Sequence, residues 1–217
     1  MRSRCWSDRA CEVTIRPSTA GRGGDERQRG AVVTVLVAGI GNMLMSDDGF
    51  GVEVIKALTA PDAPELPADV EVVDIGIRGM HLAYQLLDGY DGLLLVDATE
   101  RGGTPGELYL LEHDISGSGQ PDEDESPVGV PDAHGMTPDA VLALLASLAT
   151  ASGLAPTAGL RRVLVLGCEP TSVEDGMGLS EPVAAAVPKA VQAVHKVLAE
   201  HLIADVESSA TSTTSGR

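Results

Sequence analysis

Aromatic residues are almost missing: Trp6, Phe50, Tyr84, Tyr90 and Tyr109 make up 2% of this 217-residue chain. Cysteine is nearly as scarce, limited to Cys5, Cys11 and Cys168. Three cysteines build no disulfide framework, and the absence of a CxxC pair with a matching second pair argues against a zinc site. A reducing, cytoplasmic setting is expected. Long apolar runs are also lacking, so no transmembrane helix is expected. The first residues carry arginines but no apolar core, so no secretory signal is expected. Positive charge is short as well: Lys and Arg number 15 against 32 Asp and Glu, a formal net charge of −17. That balance argues against nucleic acid and anionic membranes as partners.

What is present is aliphatic. The hydrophobic 43% is mainly Val, Leu, Ala and Ile. Such a core suits a buried parallel sheet covered by Ala- and Leu-rich helices. The length allows one domain with a sizeable core. Residues 1–30 are Arg-rich without periodicity and read as a disordered basic extension, and 206–217 read as a disordered tail. The domain is expected over 31–205.

Inside it, strand and helix signals alternate. "VVTVLVAGI", "VEVVDIG", "GLLLVDAT" and "RVLVLGCEP" read as strands, and "GELYLLE" as an antiparallel or edge strand. "GVEVIKALTA", "GMHLAYQLLDG", "TPDAVLALLASLAT" and "LSEPVAAAVPKAVQAVHKVLAEHL" read as helices. Ser180 is placed to cap the last helix, and Pro188 is expected to kink or interrupt it. The stretch from Ser116 to Asp132, with the acidic run Asp122–Glu125, reads as a long solvated loop. The pattern predicts a single α/β domain with a five-stranded sheet and right-handed crossovers.

Ligands of open α/β sheets sit beyond the carboxyl ends of the strands. Three polar residues are expected at that level. Asp48 follows the opening strand through "GIGN", Asp97 ends the apolar run "LLLVD", and His134 precedes a helix in "PDAHGMTP". Each has a plainer reading, as a helix cap, a strand-end turn residue and a surface loop histidine respectively. Together, two carboxylates and an imidazole suit a divalent first-row ion and leave coordination positions open. A nucleotide loop is the competing reading. Gly39 and Gly41 match GxGxxG, but Leu44 stands where the third glycine belongs, and Asp47 and Asp48 would repel a pyrophosphate. Asp74 imitates the ribose-binding acid, yet no nucleotide cofactor is expected.

Taken in order, these motifs resemble the hydrogenase maturation endopeptidases. "GIGNMLMSDDGFG" is similar to the family's opening signature, "DIGIRGM" to its second-strand glycine loop, and "LLLVDAT" to its third-strand acid. His134 and "GCEPTSVEDGMGLSEPV" agree, so the resemblance spans Val33 to Leu202. It implies a twisted, mostly parallel sheet between helix layers. It also implies an endopeptidase that trims the C-terminal extension of a nickel–iron hydrogenase large-subunit precursor after nickel insertion. The implied catalytic and metal-binding residues are Asp48, Asp97 and His134, with nickel carried by the precursor rather than permanently held.

Asp47 and Asp74 are candidate acid–base groups. Gly39, Gly41 and Asn42, with Gly76 and Gly79, are expected to form loops that admit substrate backbone, although the latter two glycines serve equally as turn residues. Two other readings stay open at this stage. One is a nickel-dependent checkpoint or chaperone that does not cleave, and the other is a thiol protease using Cys168 with His134. Cys168 is more simply a small buried side chain.

Overall fold

The computed structural model describes residues 3–5, 33–113, 115 and 138–203. His134 and the acidic run Asp122–Glu125 lie outside the described residues. Among the described residues there are six strands: β1 (Ser3–Cys5), β2 (Val35–Ile40), β3 (Val70–Gly76), β4 (Gly92–Ala98), β5 (Leu108–His113) and β6 (Arg162–Cys168). They form one sheet in the order β1-β5-β6-β4-β2-β3. β3, β2, β4 and β6 run parallel, while β5 is antiparallel to β6. The short β1, inside the stretch expected to be an extension, pairs antiparallel with the outer side of β5. The "GELYLLE" segment is therefore antiparallel, as its pattern predicted, and flanked on both sides.

Among the described residues four α-helices cover the sheet: α1 (Phe50–Leu58), α2 (Gly79–Leu86), α3 (Pro138–Ala151) and α4 (Glu181–Val197). Strand side chains alternate between faces, so each strand feeds two cores. Val35 and Val37 of β2 point to the side covered by α1 and α4, among Phe50, Val54, Val183 and Val194. Leu36 and Ala38 point to the opposite side, among Leu82, Leu86, Leu142 and Leu145 of α2 and α3. Burial on both faces explains why β2 and β4 read as continuous apolar runs instead of alternating ones. No helix among the described residues is long and apolar enough to cross a membrane.

Pro188 does not interrupt the last helix, and Ser180 does not cap it through its side chain. Glu181–Val197 is one helix with Pro188 inside it. Pro188 and Ala184, whose carbonyl the proline deprives of a partner, are both exposed to solvent, while Val183, Ala186, Ala190 and Val194 hold the other face on the sheet. Water can serve the freed carbonyl, so packing outweighs the missing hydrogen bond. Ser180 does occupy the N-cap position of α4, but its side chain makes no capping bond; the hydroxyl is used elsewhere, as described below.

The chain leaves β2 toward β3 on one side, and β4 lies on the other side of β2. The topological switch point is therefore the crevice between the carboxyl ends of β2 and β4. Glycines let α1 close over it. A Cβ on Gly51 would strike the carbonyls of Ile40 and Val96, at or near the ends of those two strands, and one on Gly39 would strike Gly51 and Ile55. The helix and the strand meet backbone to backbone here.

Candidate functional site

Asp48 and Asp97 flank this crevice. Asp97 sits at the end of β4, opposite Gly167 of β6. Asp48 lies in a 3-10 turn, Ser46–Gly49, between β2 and α1. It does not cap α1, whose N-cap is Gly49. Instead its Oδ2 accepts the Asn42 N–H at 2.6 Å, folding the "GIGN" turn around its own carboxylate. Gly41 makes this closure feasible. Its φ is +128°, and a Cβ there would collide with the Asp48 carbonyl. A loop amide that could have faced a phosphate is thus taken by the chain's own acid, a further reason to set the nucleotide reading aside.

The two acids feel each other. Burial pushes the Asp97 carboxyl up to about 7, the nearby Asp48 charge pushes the same way, and the Ala98 N–H bond opposes them. Two partly buried carboxylates within reach of each other's charge at this crevice suit a divalent cation, which would relieve that repulsion. No group of three or more His, Cys, Asp or Glu side chains that could hold a metal comes together among the described residues. The third expected ligand, His134, is outside them.

Asp47 points the other way and is fully buried. Its Oδ1 accepts the Ser180 N–H at 2.6 Å. Its Oδ2 accepts the Thr171 N–H at 2.7 Å, the Ser180 hydroxyl at 2.9 Å and the Ser172 N–H at 3.3 Å. Burial pushes its pKa up, but these bonds from Ser180, Thr171 and Ser172 outweigh it and hold the carboxyl below its ordinary value. Accepting a proton would cost this set of bonds, so the geometry makes Asp47 a clasp between the opening loop and the loop after β6. The other candidate acid–base group, Asp74, is exposed. Next to it, the Gly76 carbonyl accepts the Gly41 N–H at 3.1 Å, which joins the β3 loop to the opening loop. Gly79 is buried in the first turn of α2.

Glu169 is a second brace, and sequence reasoning missed it. It follows β6 and is 3% exposed. Its carboxylate accepts the N–H groups of Arg101 and Gly102 at 3.0 Å and the Tyr109 hydroxyl at 2.9 Å, tying down the loop that leaves Asp97. Burial raises its pKa, but the bonds from Arg101, Tyr109, Gly103 and Gly102 prevail and hold the carboxyl below its ordinary value. The signal was available: like Asp97, Glu169 is an acid that ends an apolar strand. Glu169→Gln is expected to cost about 1 to 3 kcal/mol at pH 7. Because the folded-state pKa lies below the unfolded one, the wild type's advantage is full above about pH 5 and fades as pH falls through the folded value. Denaturant midpoints measured from pH 3 to 8 check this; a gap independent of pH would contradict it.

Cys168 is buried and free. Burial, then the charges of Asp47 and Glu169, push its thiol up to about 12. A thiol held protonated is a poor nucleophile, so Cys168 is a packing residue.

Fold and site together define an α/β domain whose crevice carries paired acids suited to a cation. A family model for hydrogenase maturation proteases matches residues 52–116. A hydrogenase expression/formation protein of Rhizobium leguminosarum bv. viciae is 31% identical over 165 residues, covering 76% of this chain and 73% of that protein. A putative hydrogenase maturation protease of Methanocaldococcus jannaschii is 32% identical, covering 74% and 93%. Among solved structures, a hydrogenase 2 maturation peptidase from a Thaumarchaeota archaeon is 36% identical with a TM-score of 0.54, covering 76% and 98%. The hydrogenase maturating endopeptidase HybD from E. coli superposes with a TM-score of 0.56 at 28% identity, covering 77% and 93%. The chain belongs to the hydrogenase maturation protease family, and its activity is that of an endopeptidase.

Proposed function

We propose that this endopeptidase removes the C-terminal extension of a nickel–iron hydrogenase large-subunit precursor once nickel is in place. In this reading it recognises the nickel that the precursor carries. The observation that supports it is that Asp48 and Asp97 both stand at the switch point, within reach of each other's charge, in a chain of this family. With the ion still on the precursor, Asp48, Asp97 and His134 would supply ligands from the protease side. A divalent ion so placed supplies Lewis-acid polarisation of a carbonyl.

The chain's own contribution is position. Asn42 fixes Asp48, the Asp47 clasp holds the turn that carries it, and Glu169 holds the loop leaving Asp97. Asp74, exposed at the end of β3, is the remaining candidate for taking a proton from the attacking water. Of the two acid–base candidates it is the one whose carboxylate is not committed to a buried clasp.

Purified protein incubated with nickel-loaded and nickel-free precursor should give a mass loss only with the loaded form. Cleavage of both forms would remove the nickel-reading part of the proposal. Stable binding without any cleavage would instead support the checkpoint reading.

A further inference from the structure

Large apolar side chains that reach solvent are not scattered over this protein. Eight are exposed among the described residues: Met43, Leu44, Ile77, Met80, Tyr84, Leu154, Val173 and Met177. All but Leu154 lie on α2 or on loops at the carboxyl ends of β2, β3 and β6. Isolated exposed apolar residues are ordinary, whereas a concentration of them on one edge marks an interaction surface.

Backbone hydrogen bonds join these loops into a row. The Gly176 N–H donates to Leu44 O at 2.9 Å, and Ser46 N–H donates back to Gly176 O at 2.9 Å, with Met45 and Gly176 paired as in a parallel ladder. On the other side, Gly41 N–H donates to Gly76 O at 3.1 Å. The 172–177 loop, the opening loop and the β3 loop are therefore consecutive neighbours. Met177, 87% exposed, and Leu44, 63% exposed, lie on the first two, at or next to this backbone pairing. Ile77 and Met80 continue from the third. The middle loop also carries Asp48, so the row adjoins the crevice.

The charges beside it are mainly acidic. Glu174 and Asp175 are exposed between Val173 and Met177, and Asp74 is exposed beside Ile77. The cations nearby are already engaged: exposed Arg78 donates to the carbonyls of Asp74 and Ile75, and Lys56 is paired with Glu53 and lies against Met43 Sδ. The chain as a whole carries −17.

We propose that this row is the docking surface for the folded body of the precursor, which would present apolar side chains flanked by basic ones. This rests on the proposed function, and names where the protein substrate is gripped apart from its metal. The grip sets affinity and leaves the bond-breaking step alone, because none of these side chains belongs to the paired acids.

The test is steady-state kinetics on nickel-loaded precursor with the Leu44→Ser/Met177→Ser double variant. KM is expected to rise about tenfold or more, as the loss of two apolar anchors implies, with kcat within about twofold and Tm unchanged. Leu154→Ser, away from the row, should leave KM alone. Asp175→Lys should raise KM at low salt and flatten its salt dependence. Should the double variant lose Tm, the single Met177→Ser variant, at the most exposed site, takes its place. A wild-type KM in the folded variant overturns the docking surface while leaving the function intact. Failure of the wild type to cut loaded precursor at all overturns the function, and the docking surface with it. If the wild type sediments as a dimer and the double variant as a monomer, the row joins two copies of this chain and the proposal is wrong.

Discussion

Asp97→Asn is expected to lower kcat/KM for nickel-loaded precursor by about 100- to 1,000-fold while leaving the protein at least as stable as the wild type. The two halves have one cause. Asp97 is held at the mouth of the crevice where burial and the Asp48 charge both disfavour its ionised form. A neutral amide of the same shape removes that repulsion, so Tm is expected to rise, by about 2 to 4 °C for each kcal/mol relieved. The same substitution deletes a negative oxygen that a cation would need. The loss of one charged ligand is an effect of about 3 to 4 kcal/mol in transition-state terms. Activity and stability moving in opposite directions is the mark of a residue kept for chemistry at the expense of folding. Processing at a wild-type rate would remove Asp97 from the site. A fall in Tm along with activity would instead make it a structural residue.

Much of the fold was legible because its signals are local. The apolar runs of β2, β4 and β6, the spacing of α1 and the proline start of α3 each lie within a few residues of chain. Asp97 stands out in the sequence as a carboxylate at the end of a buried strand, and Asp48 as an acid in the glycine loop that follows one. Asp47 was not. It reads like half of the pair "DD", and its partners Thr171, Ser172 and Ser180 are more than 120 residues away. Nothing local distinguishes the acid that faces the crevice from the one that turns into the protein. Ser180 misled in the same way. Its position at the start of α4 was right, yet a distant carboxylate outcompetes the helix for its hydroxyl. Pro188 was judged by its backbone chemistry alone, when the burial of Ala186, Ala190 and Val194 around it decides the helix. The apolar row is illegible for another reason. Met43, Ile77 and Val173 look like ordinary core residues until the loops carrying them are seen side by side.

Replacing Asp47 by Ala should be the most damaging single change to stability. Three backbone N–H groups, from Thr171, Ser172 and Ser180, and one hydroxyl converge on this carboxylate in a fully buried place. Alanine leaves those donors without the acceptor they share. Each buried donor left unpaired costs about 1 to 3 kcal/mol, so a total of about 3 to 5 kcal/mol is expected after relaxation. For a domain of this size that lowers Tm by about 6 to 20 °C. Asp47→Asn discriminates between shape and charge. The amide keeps one accepting oxygen, but its NH2 must face either Ser180 N–H or the Thr171 side, donor against donor. Most of the loss should therefore persist in Asn, which conserves volume almost perfectly. Calorimetry on the three proteins decides: an Asn variant near wild type would mean that Asp47 is held by packing and not by its hydrogen bonds. Measured at temperatures where all three remain folded, processing should also fall in both variants, through KM and kcat together. The clasp fixes the turn that presents Asp48, and a loosened turn misplaces one carboxylate of the pair even though neither carboxylate has been touched.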